Sequence, residues 1–577
     1  MLLPDEKVLA AATEGTAFLA LAWEEMFDAY VPDTFQPRLF NLPLLIDELR
    51  AVATKAETSP QWHPHVQAIQ AELSQTLQWD HSFLDALPYL RWAAGTLVKG
   101  CPAKQLIETA KTLQVHQHRY QELAEQTLES AADGLPHAKE AAFRALRRVG
   151  TIAINAGFRR EDFKDLCDAG AFVRQTGDWM RDLVGMIGSS RSSNRRLYRC
   201  TFAINADRRL PRRLARKLGF QIEKATRVAG SLQNLAPEAT FIWIEVPANT
   251  PSEALQSAAR KVRPTLDIFN FYSRSYSLSL CDDALVSDGS AQILLKIGAQ
   301  SLRKLPARRS APNLAARAIS EIMERLLYGR IFNALEHYTL VQRSAAYRVK
   351  LVNLWAAVEC LAIGSIGKPV HERVQATVLP IVSWRRIDKI TRYIATILTE
   401  LRSKGSISML GSGFSTEGVV SAEEVLLVLC KPKDHPDISS LLNAVAANPL
   451  LRNRIFNLWK MFSNPTTLLK DTIISRQRTE WHLLRIYRAR NLVVHYGEEM
   501  PCLPHLLDHL QYYFSLTLSR ILDSMSSHHD WTVTDAVAHW TLREEYFRHN
   551  LAHSPSTLKV RDFFPRPIRR INECLWP

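Results

Sequence analysis

Arg490-Asn491-Leu492-Val493-Val494-His495 lies within a segment, Trp481 to Tyr496, that reads as one long helix stopped by Gly497. On a helix, residues three and four apart share a face. Arg490 therefore sits beside Ile486, Val493 and Val494, and His495 beside Leu492 with Leu484 and Trp481 further back. A guanidinium on an apolar stripe is costly unless it is paired or lines a polar cavity. An imidazole beside it can move protons near neutral pH. An arginine for phosphate charge and a histidine as acid or base are what RNA cleavage without a metal requires. A regular helix turns about 100° per residue, so a five-residue step sets the two side chains roughly 140° apart. A shared site then needs a bent arginine or a second protomer. The plainer reading of the same residues is a buried Arg–carboxylate pair with a histidine capping the helix end at Tyr496-Gly497.

Working outward, the chain has 577 residues, too many for one core and enough for roughly three domains. Its 46% hydrophobic and 23% charged residues are those of a globular protein. No apolar run approaches the ~20 residues that span a bilayer, and Met1 to Lys7 does not resemble a secretory signal. The eight cysteines are scattered with no Cys-x-x-Cys, as in a protein of the reducing cytoplasm and unlike a zinc ribbon. His63-Pro64-His65 and His116-Gln117-His118 lack the further ligands a metal site needs, so no metal and no cofactor is expected. A net charge of +14 favours a polyanionic partner, nucleic acid first.

The expected fold is mainly α with a small central α/β domain. Residues 1–189 read as helical, rich in Ala, Leu, Glu and Gln, with breaks near Pro32, Pro60 to Pro64 and Pro136. Residues 190–315 change character. Arg199 to Asn205, Thr240 to Val246, Ala284 to Val286 and Gln292 to Ile297 read as strands, and Ser252 to Arg263 as a helix. This region is densely basic. Arg208, Arg209, Arg212, Arg213, Arg216 and Lys217 fall on a predicted helix whose spacing gathers several cations on one face, either a surface for nucleic-acid phosphates or a solvated face. Residues 316–577 are helical again. Tyr347 to Ile363 is nearly continuous in apolar residues, an insertion is expected at about 364–465, and Leu503 to Met525 is amphipathic. The C-terminal part reads as a four-helix arrangement interrupted by that insertion.

These residues resemble a HEPN domain, most closely the Apea-like type of bacterial defence proteins. Val352 to Leu361 looks like that family's early Trp/Glu helix, Arg490-Asn491-x3-His495 fits its Arg-polar-x3–5-His motif, and Leu503 to Met525 looks like its closing helix. The resemblance covers roughly residues 316–577. It implies a metal-independent endoribonuclease of antiviral defence or abortive infection, cytoplasmic, acting on RNA as a homodimer. A phage-derived or nucleic-acid trigger is implied too, and no membrane. His495 would act as acid or base at a ribose 2′-OH or leaving oxygen, Arg490 would stabilise the scissile phosphate, and Asn491 would bind the phosphate or orient His495. Two motifs facing across a two-fold axis would form one cleft. Glu359, on an apolar helix face beside Trp355, is expected to pair with Arg490 or His495, for catalysis or structure. Tyr496 directly follows His495, unlike toxins of the family that carry His-x-Tyr.

Two other functions compete. One is a non-catalytic RNA-binding or scaffolding protein, in which the Arg–His pair belongs to the core. The other is a metal-dependent nuclease, disfavoured because no clustered Asp/Glu set stands on one element.

Overall fold

The structure, a computed structural model, describes residues 14–564 except for 27–39, 163–175, 190–195, 207–220, 223–231, 233–238, 298–328 and stretches of one to five residues elsewhere. The N-terminal helices are Glu14–Met26 (α1), Leu42–Thr58 (α2), His63–Trp79 (α3), Pro88–Val98 (α4), Ala103–Gln114 (α5), Gln117–Asp133 (α6), Lys139–Asn155 (α7) and Thr176–Ser189 (α8). Strands Arg196–Ala206 (β1), Gln221–Ile222 (β2), Thr240–Ala248 (β3), Leu278–Ser287 (β4) and Gln292–Lys296 (β5) follow, with Pro251–Tyr272 (α9) between β3 and β4. The C-terminal helices are Arg330–Arg343 (α10), Tyr347–Leu361 (α11), Val370–Ser403 (α12), Ala422–Leu429 (α13), Pro436–Ala444 (α14), Pro449–Phe462 (α15), Pro465–Asn491 (α16), Leu503–Ser527 (α17) and Val533–His553 (α18). The protein is mainly helical with one small sheet.

All four expected strand segments and the expected helix form. The sheet order is β2-β3-β1-β4-β5 and every pairing is antiparallel. From β3, α9 crosses over β1 to β4, as in a split βαβ unit. Alternation along the strands decides the faces. Cys200, Phe202, Ile204, Ile242 and Val246 pack against Ala254, Leu255, Ala258 and Val262 of α9. The opposite face carries the Arg199 guanidinium 3.9 Å from the Trp243 ring centre. The basic run Arg208, Arg209, Arg212, Arg213, Arg216 and Lys217 lies outside the described residues.

The helices before and after the sheet share one core. Phe18 and Trp23 of α1, Leu45 and Leu49 of α2 and Ile69 of α3 belong to the same buried cluster as Trp355, Ile387, Ile486 and Phe514. Buried ion pairs tie the two parts together. Arg454 of α15 donates through both Nη atoms to Glu25 of α1 at 2.5 Å each, and the Tyr393 hydroxyl of α12 donates to the same carboxylate at 2.6 Å. The described helical segments on either side of the sheet thus close on each other.

One expectation changes. The stretch about 364–465, read as an insertion, begins with α12, a helix of 34 residues. Val374, Val378, Ile381, Trp384, Ile387, Ile390 and Ile394 of α12 recur every three or four residues and are buried. α11, α12, α16 and α17 all contact one another, so α12 is a member of the four-helix packing that holds the motif. Loop residues Gly405, Gly411 and Gly413 drew the reading toward an insertion, but they come after this helix.

Candidate functional site

The motif is presented by α16. Asn464 opens that helix by accepting from the Thr466 and Thr467 amides at 2.9 and 3.2 Å, with Pro465 at the first helical position. Regular helix runs to Asn491, and Leu492–Tyr496 then form a π-helical turn. The Gly497 amide closes it by donating back to the Leu492 carbonyl. Gly497 has φ +66°, a left-handed conformation that favours glycine. The π turn changes the geometry expected of the spacing. Its bonds run from i to i+5, so each of its residues turns through a smaller angle than in a regular helix. The five-residue step that a regular helix splays apart is drawn toward one face within a single chain.

The motif residues differ in exposure. His495 is exposed, and Arg490 and Asn491 are half-buried. Arg490 Nη1 donates to Asn491 Oδ1 at 3.1 Å, so Asn491 orients the guanidinium rather than the imidazole. Arg490 Nε is buried and has no hydrogen-bond partner among the described residues. Glu359 departs from expectation. It accepts a hydrogen bond from Trp355 Nε1, one turn back on α11, and pairs with neither Arg490 nor His495. The indole N–H four residues away satisfies the carboxylate locally. Glu359 still belongs to the surroundings of the motif, because the Trp355 ring packs 5.4 Å from Tyr487, one turn before Arg490.

The N-terminal helices wrap this end of α16. Two turns inside it, Arg485 and Arg488 are 0% and 2% exposed. Glu48 of α2 accepts from Arg485 Nη2 at 2.8 Å and from Arg488 Nη2 at 2.6 Å, and Glu72 of α3 accepts from Arg485 Nη2 at 2.6 Å. Burial works to raise the Glu48 carboxyl, but the two guanidiniums overcome it and hold it at about 2. Burial pushes the Glu72 carboxyl up, with only Arg485 bonded to it in opposition. At the helix end, Lys55 Nζ of α2 lies 3.2 Å from Glu498 and 3.8 Å from the Tyr496 ring centre. Trp62 stacks obliquely on Tyr496 at 6.4 Å.

Two histidines far apart in the chain stand in the same wall. The rings of His65 (α3) and His371 (α12) lie 5.8 and 5.2 Å from Tyr487 and 5.7 Å from each other. Both Nδ1 atoms are buried without a hydrogen-bond partner among the described residues. Burial, with Arg488 and His371 nearby, lowers His65 to about 3. His65 was visible only as half of a Pro-split His pair, and His371 carried no local signal. Among the described residues no group of three or more His, Cys, Asp or Glu is arranged to hold a metal ion, and no helix is long and apolar enough to cross a membrane. A cavity of about 410 Å³, lined by Gly329, Arg330 and Trp531 among others, shares no residue with the motif.

The arrangement offers an exposed imidazole, an oriented guanidinium and an aromatic wall at one helix end. No protein-family model, no curated protein and no solved structure matches the chain.

Proposed function

We propose that the chain is a metal-independent endoribonuclease of the HEPN type, acting in antiviral defence or abortive infection. The observation that supports the reading is the π turn at the end of the helix, which narrows the angle expected between Arg490 and His495 and leaves the imidazole exposed. In this reading RNA enters at the exposed end of α16. The Arg490 guanidinium, steered by Asn491, meets the non-bridging oxygens of the scissile phosphate, where charge develops in the transition state. His495 exchanges a proton with the 2′-oxygen or the leaving oxygen. Attack by the 2′-OH restricts the substrate to RNA. The basic sheet region, with Arg199 stacked on Trp243, offers phosphate and stacking contacts. Pairing of two chains through the helical part is proposed as the assembly, and a phage-derived or nucleic-acid signal as the trigger.

The test is induced expression of wild type, His495→Ala and Arg490→Ala at matched levels, with and without phage challenge, and total RNA resolved on gels. Growth arrest with RNA fragments in wild type alone supports the reading. The same behaviour in all three replaces it with a non-catalytic RNA-binding or scaffolding protein.

A further inference from the structure

Cleavage through the 2′-oxygen needs two proton transfers at opposite sides of phosphorus. One group takes the proton from the 2′-OH and another supplies one to the departing 5′-oxygen. The motif contributes one histidine per chain. We propose that His371 is the second proton-transfer group of this site, acting as the base while His495 acts as the acid. This inference rests on the ribonuclease reading.

The geometry comes from the wall around the last turn of α16. Tyr487 shares a face with Arg490, one turn away. His371 packs on the Tyr487 ring at 5.2 Å. On the other side the ring contacts run from His371 to His65 at 5.7 Å, to Trp62 at 5.5 Å and to Tyr496 at 6.4 Å, the residue after His495. His371 therefore lies in a row of ring contacts that runs from Tyr487, one turn before Arg490, to Tyr496, the residue after His495. It is half-buried, whereas His65 behind it is 5% exposed and sealed. His371 Nδ1 is buried and has no hydrogen-bond partner among the described residues, which leaves Nε2 as the nitrogen to meet a substrate. His371 is the second residue of α12, where the positive end of the helix dipole disfavours an imidazolium. The titratable and charged groups facing it are His65 of α3, Tyr487 of α16 and Glu372 of its own helix. Burial lowers His371 below the ordinary histidine value against the opposing pull of Glu372, so the ring is neutral at pH 7, the form that can accept a proton.

In the proposed step the His371 imidazole removes the proton of the 2′-OH as the 2′-oxygen attacks phosphorus. The P–O5′ bond breaks, and the 5′-oxygen takes a proton from the His495 imidazolium. The products are a 2′,3′-cyclic phosphate and a 5′-hydroxyl end. Proton exchange with water then resets both rings.

The test compares wild type, His371→Gln and His495→Ala, as full-length chains, on a labelled RNA in EDTA and on the same RNA with sulfur in place of the scissile 5′-oxygen. A thiolate leaves without a proton, so an acid becomes dispensable and a base does not. The expected result is that His371→Gln lowers kcat by about 10²–10⁴-fold on both substrates, with KM little changed and the acidic limb of the rate profile lost. His495→Ala fails on the oxygen substrate and recovers on the sulfur one. If His371→Gln does not fold, His371→Asn with added imidazole as a rescuing base replaces it. A wild type that cleaves, a His495→Ala that does not, and a His371→Gln that retains kcat and its acidic limb would overturn the assignment while leaving the ribonuclease reading intact. A wild type that cleaves nothing removes both.

Discussion

Arg485 and Arg490 stand five residues apart on one helix and have opposite circumstances. Arg485 is wholly buried, gripped by Glu48 and Glu72 from two other helices, with its guanidinium 3.6 Å from the Phe40 ring centre. Among the described residues Arg490 hydrogen-bonds to its neighbour Asn491 and finds no carboxylate, and an exposed histidine follows five residues later. A buried guanidinium with two carboxylates has its charge satisfied and lies out of a substrate's reach. One held by an amide oxygen keeps its charge for a phosphate. The buried face of α16 is thus structural, while Arg490, half-buried at its end, is not held by a carboxylate among the described residues.

The largest way to break this comparison is Glu48→Ala. It strips both inner guanidiniums of their shared carboxylate and is expected to cost about 3–5 kcal/mol, measured by chemical denaturation. A loss under 1 kcal/mol would mean that the inner arginines are not what fixes α16. Acid tests the same region. His65 and His482 are buried and held near 3, against 6.5 for an ordinary histidine. The unfolded chain binds their protons first, so their contribution is complete above pH 6.5 and is lost as pH falls toward 3. Glu48 has the same sign with a lower window, its contribution falling from pH 4.5 toward 2. Burial gives Glu72 the opposite sign, since its carboxyl sits above 4.5. Melting temperatures between pH 7 and 4 should fall, and a flat profile would contradict the buried neutral histidines.

Gly497→Ala probes the outer turn. Nothing lies within 4 Å of an added Cβ, so the effect is backbone strain at φ +66°, about 1–2 kcal/mol. On the ribonuclease reading cleavage should fall further than stability, because the π turn that carries His495 ends on this residue. The smallest effect is expected of Lys55→Met, which removes a partly exposed ion pair and a cation–π contact worth about 0.5–1 kcal/mol. A larger loss in a melt would make that contact a main anchor of the turn.

What the sequence disclosed follows the same division. Thr240 to Val246 and Gln292 to Ile297 read as strands because β-branched and aromatic runs leave a local mark. The Arg490/His495 pair was legible as a spacing, but its geometry was not, since periodicity assumes a regular helix and the π turn departs from it. Arg485 and Arg488 could not be told from Arg490, because their carboxylates lie 413 to 440 residues away in the chain. Glu359 misled for the opposite reason. Its partner, Trp355, was adjacent on the same helix, and a distant one was expected. The histidines at 65 and 371 meet only through tertiary packing of α3 and α12 on α16, which no local pattern encodes.

The most direct measurement sets Arg485→Ala beside Arg490→Ala and reads melting temperature and RNA cleavage in the same preparations. The division of α16 predicts that Arg485→Ala unfolds or melts far below wild type. Arg490→Ala is predicted to stay within about 1 kcal/mol of wild type and to lose RNA cleavage. An Arg490→Ala protein that melts as low as Arg485→Ala, or that cleaves RNA as wild type does, would contradict it.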